Sequence, residues 1–365
     1  MMSHHRKIRI HRGLKRKKHG KTKRKHVTYW NSYVKSAIKL YIIGNGFDLH
    51  HCIPSRYSDF KIWLEENDLE TLCQMEEIFG SIEPEWWNEF ETNLGNPFPV
   101  RQYAENVAFE NQPDYASDTY RDRDLYAAEI EVENKLGGLI NALKCDFQEW
   151  ASLLPFGDGS LMLKLDKIDS LFLSFNYTLT LEKMYCISAD RVKHIHGSLI
   201  DKESIVVGHG CDYSSFRSNL EDELPESPKD LPFEEYEEWY EDVVSQYSDD
   251  YPTSMAKDAA ASVMSIMQKN VSSIIDKNMN FFHALKNVKK ICIYGFSFAE
   301  VDLPYLLEVF KNVNIKTIEL EVSYFTDNDK RKIETYCKQL NPKPAKVSLV
   351  KLADITKYKQ LSLFD

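Results

Sequence analysis

Leu40-Tyr41-Ile42-Ile43 runs straight into Gly44-Asn45-Gly46-Phe47-Asp48. No other junction constrains the fold of this chain as strongly. A short apolar run that ends in Gly-x-Gly is how a parallel strand hands over to a loop that cradles a nucleotide. The glycines allow positive φ and let backbone come close to a ligand. Tight strand-to-helix turns use the same glycines with no ligand, so the junction alone leaves the ligand open. Three later segments join the pattern: Ser174-Phe175-Asn176-Tyr177-Thr178, His194-Ile195-His196-Gly197-Ser198 and Tyr294-Gly295-Phe296-Ser297.

Apolar runs at Lys39–Ile43, 171–175, 192–195, 205–207, Lys290–Tyr294, 318–324 and 346–352 read as strands. Helices are expected from Asp302 to about residue 313 and over 327–340. Strands that alternate with helices predict a parallel sheet covered on both faces, an α/β Rossmann-like core. Ligands in such sheets bind at the carboxyl ends of the strands. Every segment named above ends a predicted strand, which is the physical argument for one site. Two stretches interrupt the alternation. Leu136, Ile140, Leu143, Phe147 and Trp150 recur at helical spacing, so 56–165 reads as a mostly helical insertion. Residues 212–280 form an acidic helical insertion or lid, with one helix expected over 255–275. The Rossmann-like nucleotide-binding core is then 37–55, 166–211 and 281–365.

Charge is polarised along the chain. Fourteen Lys or Arg precede the first acidic residue, Asp48, and the remainder carries 32 basic against 56 acidic residues. Residues 1–36 read as a basic extension, disordered by composition, with no apolar face to bury. A block of this kind also suits a nucleic acid, a membrane surface or a targeting role. The acidic body argues against extensive nucleic-acid contact through the folded part. The seven cysteines are scattered and odd in number, which suggests neither a disulfide framework nor a zinc site. No apolar run approaches the length of a membrane span. A reduced, cytoplasmic protein is expected.

Several residues could carry chemistry. Asn176 offers a donor and an acceptor at a strand end, fit to hold a ribose hydroxyl or position a water, or to cap a helix. His194 and His196 face the same way on a strand, but no carboxylate or thiol nearby in sequence completes a metal set. His196, before Gly197, is the better general base, with His209 in Gly208-His209-Gly210 as a second candidate. Both also suit plain structural roles. Asp48 and Asp302 flank the proposed cleft as ribose ligands or N-caps, and Pro304 favours the cap for Asp302. His50 and His51 extend the first loop.

Taken in order, these segments resemble the AbiH family of bacterial phage-defence, or abortive-infection, proteins. The likeness lies in 42–50, in Ile53-Pro54-Ser55-Arg56-Tyr57-Ser58-Asp59-Phe60, in Phe175-Asn176-Tyr177-Thr178, in Ile195-His196-Gly197 and in Tyr294-Gly295-Phe296-Ser297 with Asp302. It spans roughly 40–312. A wider likeness is to the sirtuin-like NAD-binding fold. There a Gly-x-Gly loop is followed by Ile-Pro, as Gly46 is by Ile53-Pro54, and an Asn and a His-Gly pair supply the catalytic groups. A Gly-x-Ser loop closes over the nucleotide, as Gly295, Phe296 and Ser297 would. The four-cysteine module of protein-deacylating sirtuins is missing, and Thr178 stands where they carry an acidic residue.

The resemblance implies an NAD(+)-consuming hydrolase, silent until infection, with Asn176 and His196 catalytic and no metal or prosthetic group. Gly44, Asn45, Gly46, Phe47, Asp48, Pro54, Thr178, Gly197, Gly208, His209, Gly295, Phe296, Ser297 and Asp302 would line the nucleotide. The loop at 44–48 would hold the pyrophosphate through backbone N–H groups, so Gly46→Val should abolish binding and spare the fold. Expected partners are NAD or an ADP-ribose-like nucleotide, a phage-derived trigger and further copies of the chain. No membrane partner is expected, and nucleic acid only through 1–36. Two alternatives stand: a non-catalytic nucleotide-sensing module, and a nucleic-acid-targeting toxin.

Overall fold

Six short strands build one parallel sheet in the computed structural model, which describes residues 38–80, 83–200, 205–212, 225–226, 228 and 232–356. The basic extension expected at 1–36 lies outside the described residues. The strands are β1 (Lys39–Ile43), β2 (Ser170–Ser174), β3 (Val192–His194), β4 (Lys290–Tyr294), β5 (Glu319–Ser323) and β6 (Lys346–Val350), in the order β3-β2-β1-β4-β5-β6. The chain starts at the centre, steps outward on one side, then returns to the other side of β1. That reversal between β1 and β4 is a topological switch point. Ile43 pairs with Ser174 and with Tyr294, so the loops after β1, β2 and β4 leave the sheet at one level.

The central strands β1, β2 and β4 are apolar on both faces because both faces are covered. Leu40, Ile42, Leu171, Leu173, Ile291 and Ile293 point one way. Tyr41, Ile43, Phe172, Cys292 and Tyr294 alternate with them and point the other. In chain order the helices are α1 (Asn45–His50), α2 (Tyr57–Asn67), α3 (Leu69–Phe79), α4 (Pro84–Asn88), α5 (Phe90–Leu94), α6 (Pro97–Glu110), α7 (Ala127–Leu153), α8 (Thr180–Lys183), α9 (Phe233–Tyr247), α10 (Tyr251–Ser265), α11 (Val271–Lys277), α12 (Met279–His283), α13 (Leu303–Lys311) and α14 (Asp327–Gln339). Tyr305, Leu306 and Val309 of α13 and Phe281 and Phe282 of α12 seal the first face of the sheet. Among the described residues no helix is long and apolar enough to cross a membrane.

A separate core lies wholly among helices. Phe60, Trp87, Phe90, Leu136, Leu143 and Phe147 pack there with Ala256, Ala260 and Met264 of α10. The two segments that interrupt the strand pattern therefore share one interior and make one helical cover. Alanines on α10 let it lie close against α7.

Three local expectations fail. Residues 205–207 are extended but join no strand. Val206 N–H donates to His196 O at 2.9 Å, and Val207 enters the helical core. The next residues are drawn to the end of α10, where His209 N–H donates to Met267 O and Lys269 N–H to His209 O. That pairing also breaks the single helix expected over 255–275 into α10 and α11, with Asn270 capping the second through Ser273 N–H. Asp302 precedes α13 and its Pro304, but its carboxylate caps no backbone N–H.

Gly137 and Gly138 sit inside α7, and a Cβ on either would meet no atom within 4 Å. Gly137→Ala and Gly138→Ala should each stabilise the protein by about 0.5–1 kcal/mol. Chemical denaturation would check this, with an unchanged midpoint counting against the described helix.

Candidate functional site

The loops after β1 and β4 interlock at the switch point. Gly46 N–H donates to Gly295 O at 2.8 Å, Phe47 N–H to Gly44 O at 2.9 Å and Gly44 N–H to Tyr294 O at 3.0 Å. Gly295 has φ +65°, and a Cβ there would lie 2.0 Å from Phe47 N. A Cβ on Gly44 would lie 2.6 Å from Gly295 O, and one on Gly46 2.8 Å from Gly295 Cα. These glycines bring two protein backbones together. In this conformation three N–H groups expected to cradle a pyrophosphate are given to protein carbonyls. Gly46→Val would force the loops apart, so its effect on folding cannot be as small as the sequence suggests. Asn45 and Ser55 bind each other reciprocally, at 2.8 Å (Asn45 Nδ2 to Ser55 O) and 2.6 Å (Ser55 Oγ to Asn45 Oδ1), beside the exposed Pro54.

The loop after β2 is stitched to the same place. Asp48 is buried and accepts from Thr178 Oγ1 at 2.5 Å and Thr180 Oγ1 at 2.7 Å. Burial raises its pKa, and those hydrogen bonds oppose the rise. Asn176 Nδ2 donates to Gly44 O at 3.1 Å, so its amide anchors the first loop. His194 bonds Asn176 O through Nδ1 at 2.9 Å and Glu182 through Nε2 at 2.8 Å. Phe47 packs on His51 and Tyr185, and His51 bridges Phe47 O and the Tyr185 hydroxyl.

His196 stands apart from that stitching. Gly197, at φ +81°, turns the chain directly after it. The imidazole is 3% exposed, edge-on to Phe175 and close to Tyr305 and Tyr177. Its Nε2 faces Asp302 Oδ1 at 3.4 Å, and neither atom has a hydrogen-bond partner among the described residues. The buried Tyr305 hydroxyl is also unpartnered there. Beside them the cover contributes an ion pair: Lys269 Nζ lies 2.7 Å from both Glu91 oxygens, and Tyr57 donates to Glu91 at 2.6 Å.

Burial holds His196 well below the usual histidine range, and the Lys269 charge pushes the same way. Burial lifts Asp302 to about 7; Lys269 opposes this and Glu91 adds to it. Near neutral pH the imidazole is therefore uncharged and the carboxyl exchanges a proton. That is the state a general base and its partner require.

The structure thus joins Gly44–Asp48, Asn176, Thr178 and Gly295 in one loop cluster, and His196 with Asp302 in a buried pair. Phe175, Phe296 and Tyr305 lie between sheet and pair, Phe175 touching both Phe296 and His196. Ser297 is exposed, and its Oγ accepts from Ala299 N–H at 3.4 Å. Gly208, at φ +153°, presses on Met267 O, and His209 donates Nε2–H to Met264 O at 3.1 Å. His209 is thereby committed to holding the end of α10. His194 and His196 do not converge, and among the described residues no three His, Cys, Asp or Glu gather as a metal site would. Glu91, Lys269 and Tyr305 escaped the sequence reading. Glu91 and Lys269 lie 178 positions apart in two insertions, with no motif to tie them. Tyr57 and Tyr177 sit inside the quoted motifs, where only their neighbours drew notice.

A Rossmann-like sheet with interlocked loops at its switch point and a buried imidazole–carboxyl pair under a helical cover defines the class. Within it, the chain belongs to the family described as bacteriophage abortive infection AbiH, whose model matches residues 40–324. Membership makes this a protein of a phage-defence family. No curated protein and no solved structure matches the chain.

Two outcomes follow. Gly295→Ala meets backbone at 2.0 Å and carries a left-handed φ, so it should destabilise by more than about 3 kcal/mol in a denaturant titration. Asp302 has a folded pKa above its unfolded one, so its burial costs stability that accumulates as pH rises from about 4 to about 7. Asp302→Asn should then stabilise at pH 8, by on the order of 2–4 kcal/mol, and far less at pH 4. A gain independent of pH would contradict the buried carboxyl.

Proposed function

We propose that this chain is a defence hydrolase that cleaves the nicotinamide–ribose bond of NAD(+). One observation carries the reading: His196 Nε2 and Asp302 Oδ1 face each other at 3.4 Å, buried and with no hydrogen-bond partner among the described residues, beside the carboxyl ends of the strands. Buried polar atoms without partners are rare in stable interiors and mark sites that exchange protons. Aromatic rings wall the pair, as a planar ring substrate would require.

In this mechanism water attacks ribose C1′ as the C1′–N bond breaks. Nicotinamide departs neutral because the bond's electron pair cancels its positive charge, so no acid is needed at the leaving group. The ribose carries oxocarbenium-like charge in the transition state. His196 takes the proton of the water, and ionised Asp302 stabilises the imidazolium. Asn176 keeps the first loop in register and, once that loop opens, positions the water. The products are ADP-ribose, nicotinamide and a proton. The Gly46–Gly295 contact must part before a dinucleotide can enter, so the closed form is silent and an infection-derived trigger would open it. No metal or prosthetic group takes part, and assembly into a homo-oligomer belongs to the same proposal.

A second reading has its own support. Gly46 N–H and Asn176 Nδ2 are both engaged by protein carbonyls, which suits a module that senses ADP-ribose or NAD without turning it over.

The test is nicotinamide release from NAD by the purified chain, alone and with phage lysate. His196→Ala and Asp302→Asn should each lower the rate by about 10²–10⁴ while the protein stays folded. Activity should rise with pH through about 7 as Asp302 ionises, and this limb should vanish in Asp302→Asn. Tight ADP-ribose binding with no release under any condition selects the sensing module. Full activity in folded His196→Ala removes His196 from the chemistry.

A further inference from the structure

Helix α9 is amphipathic but only half covered. Its apolar side carries Phe233, Tyr236, Trp239, Tyr240 and Val243, and among its described side chains Val243 alone is buried. Phe233 is 73% exposed, Tyr236 38% and Tyr240 39%. Tyr236 and Tyr240 stack one turn apart, with ring centroids 6.2 Å apart and planes 17° off parallel. The opposite side holds six carboxylates between Glu234 and Asp242, and the helix has no Lys or Arg. A row of exposed aromatic faces bordered by carboxylates is a surface for cations on flexible stems. Arg and Lys pair with the carboxylates and lie over the rings.

The chain itself contains the complement. Residues 6–25 hold twelve Lys or Arg and no acidic residue. They precede β1 by the stretch 26–38, and thirteen extended residues span up to roughly 45 Å. Neither feature has a part in the proposed hydrolysis. We infer that residues 6–25 dock along α9 of the same chain, through ion pairs to its carboxylates and cation–π contact with Phe233, Tyr236 and Tyr240. Each exposed ion pair contributes only about 0.2–1 kcal/mol, so several must act together, and salt will weaken them. The contact masks the basic segment from other polyanions until they outcompete it.

The full-length chain tests this directly. Zero-length carbodiimide crosslinking followed by mass spectrometry should join lysines of 15–25 to Glu234, Glu238 or Glu241. A mixture of isotope-labelled and unlabelled chains should give those links within one chain. Trypsin cleavage inside 6–25, normalised to a free peptide of residues 1–30, should be about three- to tenfold faster at 1 M salt, where the Debye length is about 3 Å. The variant Glu234→Gln/Glu238→Gln/Glu241→Gln should show the fast rate at low salt. Links confined to mixed-isotope pairs would overturn docking within the chain in favour of a second copy. Absence of links to α9 with salt-independent cleavage would overturn docking altogether. Oligonucleotide affinity equal in the unsubstituted chain and the variant would also overturn it, since a docked segment must be released before it binds.

Discussion

Gly295 donates its amide to Ser323 Oγ and offers its carbonyl to Gly46, and much of the molecule hangs on that second bond. β1 and β4 are neighbours in register, so the loops that follow them start side by side. At a switch point two such loops normally diverge and leave a crevice. Here three glycines let them touch. The first loop, once fixed, becomes the anchor for the next: Gly44 O receives the Asn176 amide, and Asp48 receives Thr178 and Thr180. A side chain at any of the three glycines would disturb β1, β2 and β4 at once, because each loop is positioned by its neighbour.

Two buried aspartates show what the fold does with charge. Asp48 accepts from two hydroxyl donors, which oppose the cost of burying it. Asp302 Oδ1 has no such donor among the described residues; it faces the imidazole edge at 3.4 Å, and the Lys269 charge also acts on the carboxyl. An unsatisfied buried polar group costs about 1–3 kcal/mol. Among the described residues, Asp302 Oδ1, His196 Nε2 and the Tyr305 hydroxyl are left without a hydrogen-bond partner. Apolar packing in the sheet and in the helical cover must compensate for them; the Tyr305 ring itself belongs to that packing. Other unpartnered buried atoms are scattered through the molecule, on Trp87, Tyr103 and Asp146 for example, but at the carboxyl edge of the sheet an imidazole and a carboxyl face each other.

The sheet was legible because its central strands are buried and apolar on both faces, while Glu319 and Lys346 expose the starts of the outer strands β5 and β6. β1 and β4 match their expected spans, and the others differ by a residue or two at an end. The pairing of His196 with Asp302 was half legible. His196 stands out after a strand and Asp302 as a flank of the cleft, but Pro304 makes Asp302 look like a cap, and only three dimensions show the carboxylate turned to the imidazole. Gly44 and Gly46 misled for a different reason. A glycine records that something comes close, and sequence does not say whether it is a ligand or another stretch of backbone. Residues 205–207 have strand composition, but their neighbours pair with the end of α10 and take them from the sheet. Glu91 and Lys269 left no local trace, because an ion pair between two insertions has no period and no spacing.

The cover both completes the pair and hides it. Lys269 and Glu91 come from helices and turns outside the sheet, yet they set the electrostatic surroundings of His196 and Asp302. Under the proposed reading, a conformation that admits a dinucleotide must part the glycine loops or lift the cover. Lifting the cover would also carry away the charges that tune the pair. Competence then belongs to a state in which the loops have opened and the cover remains. If the closed form is favoured by about 3 kcal/mol, fewer than about one molecule in a hundred is open, and basal turnover falls by the same factor. A ligand that binds only the open form restores turnover without touching His196 or Asp302. Under that reading silence and activation need no separate inhibitor: the contact between Gly46 and Gly295 would supply the resting state, and differential binding to the opened loops would supply the switch.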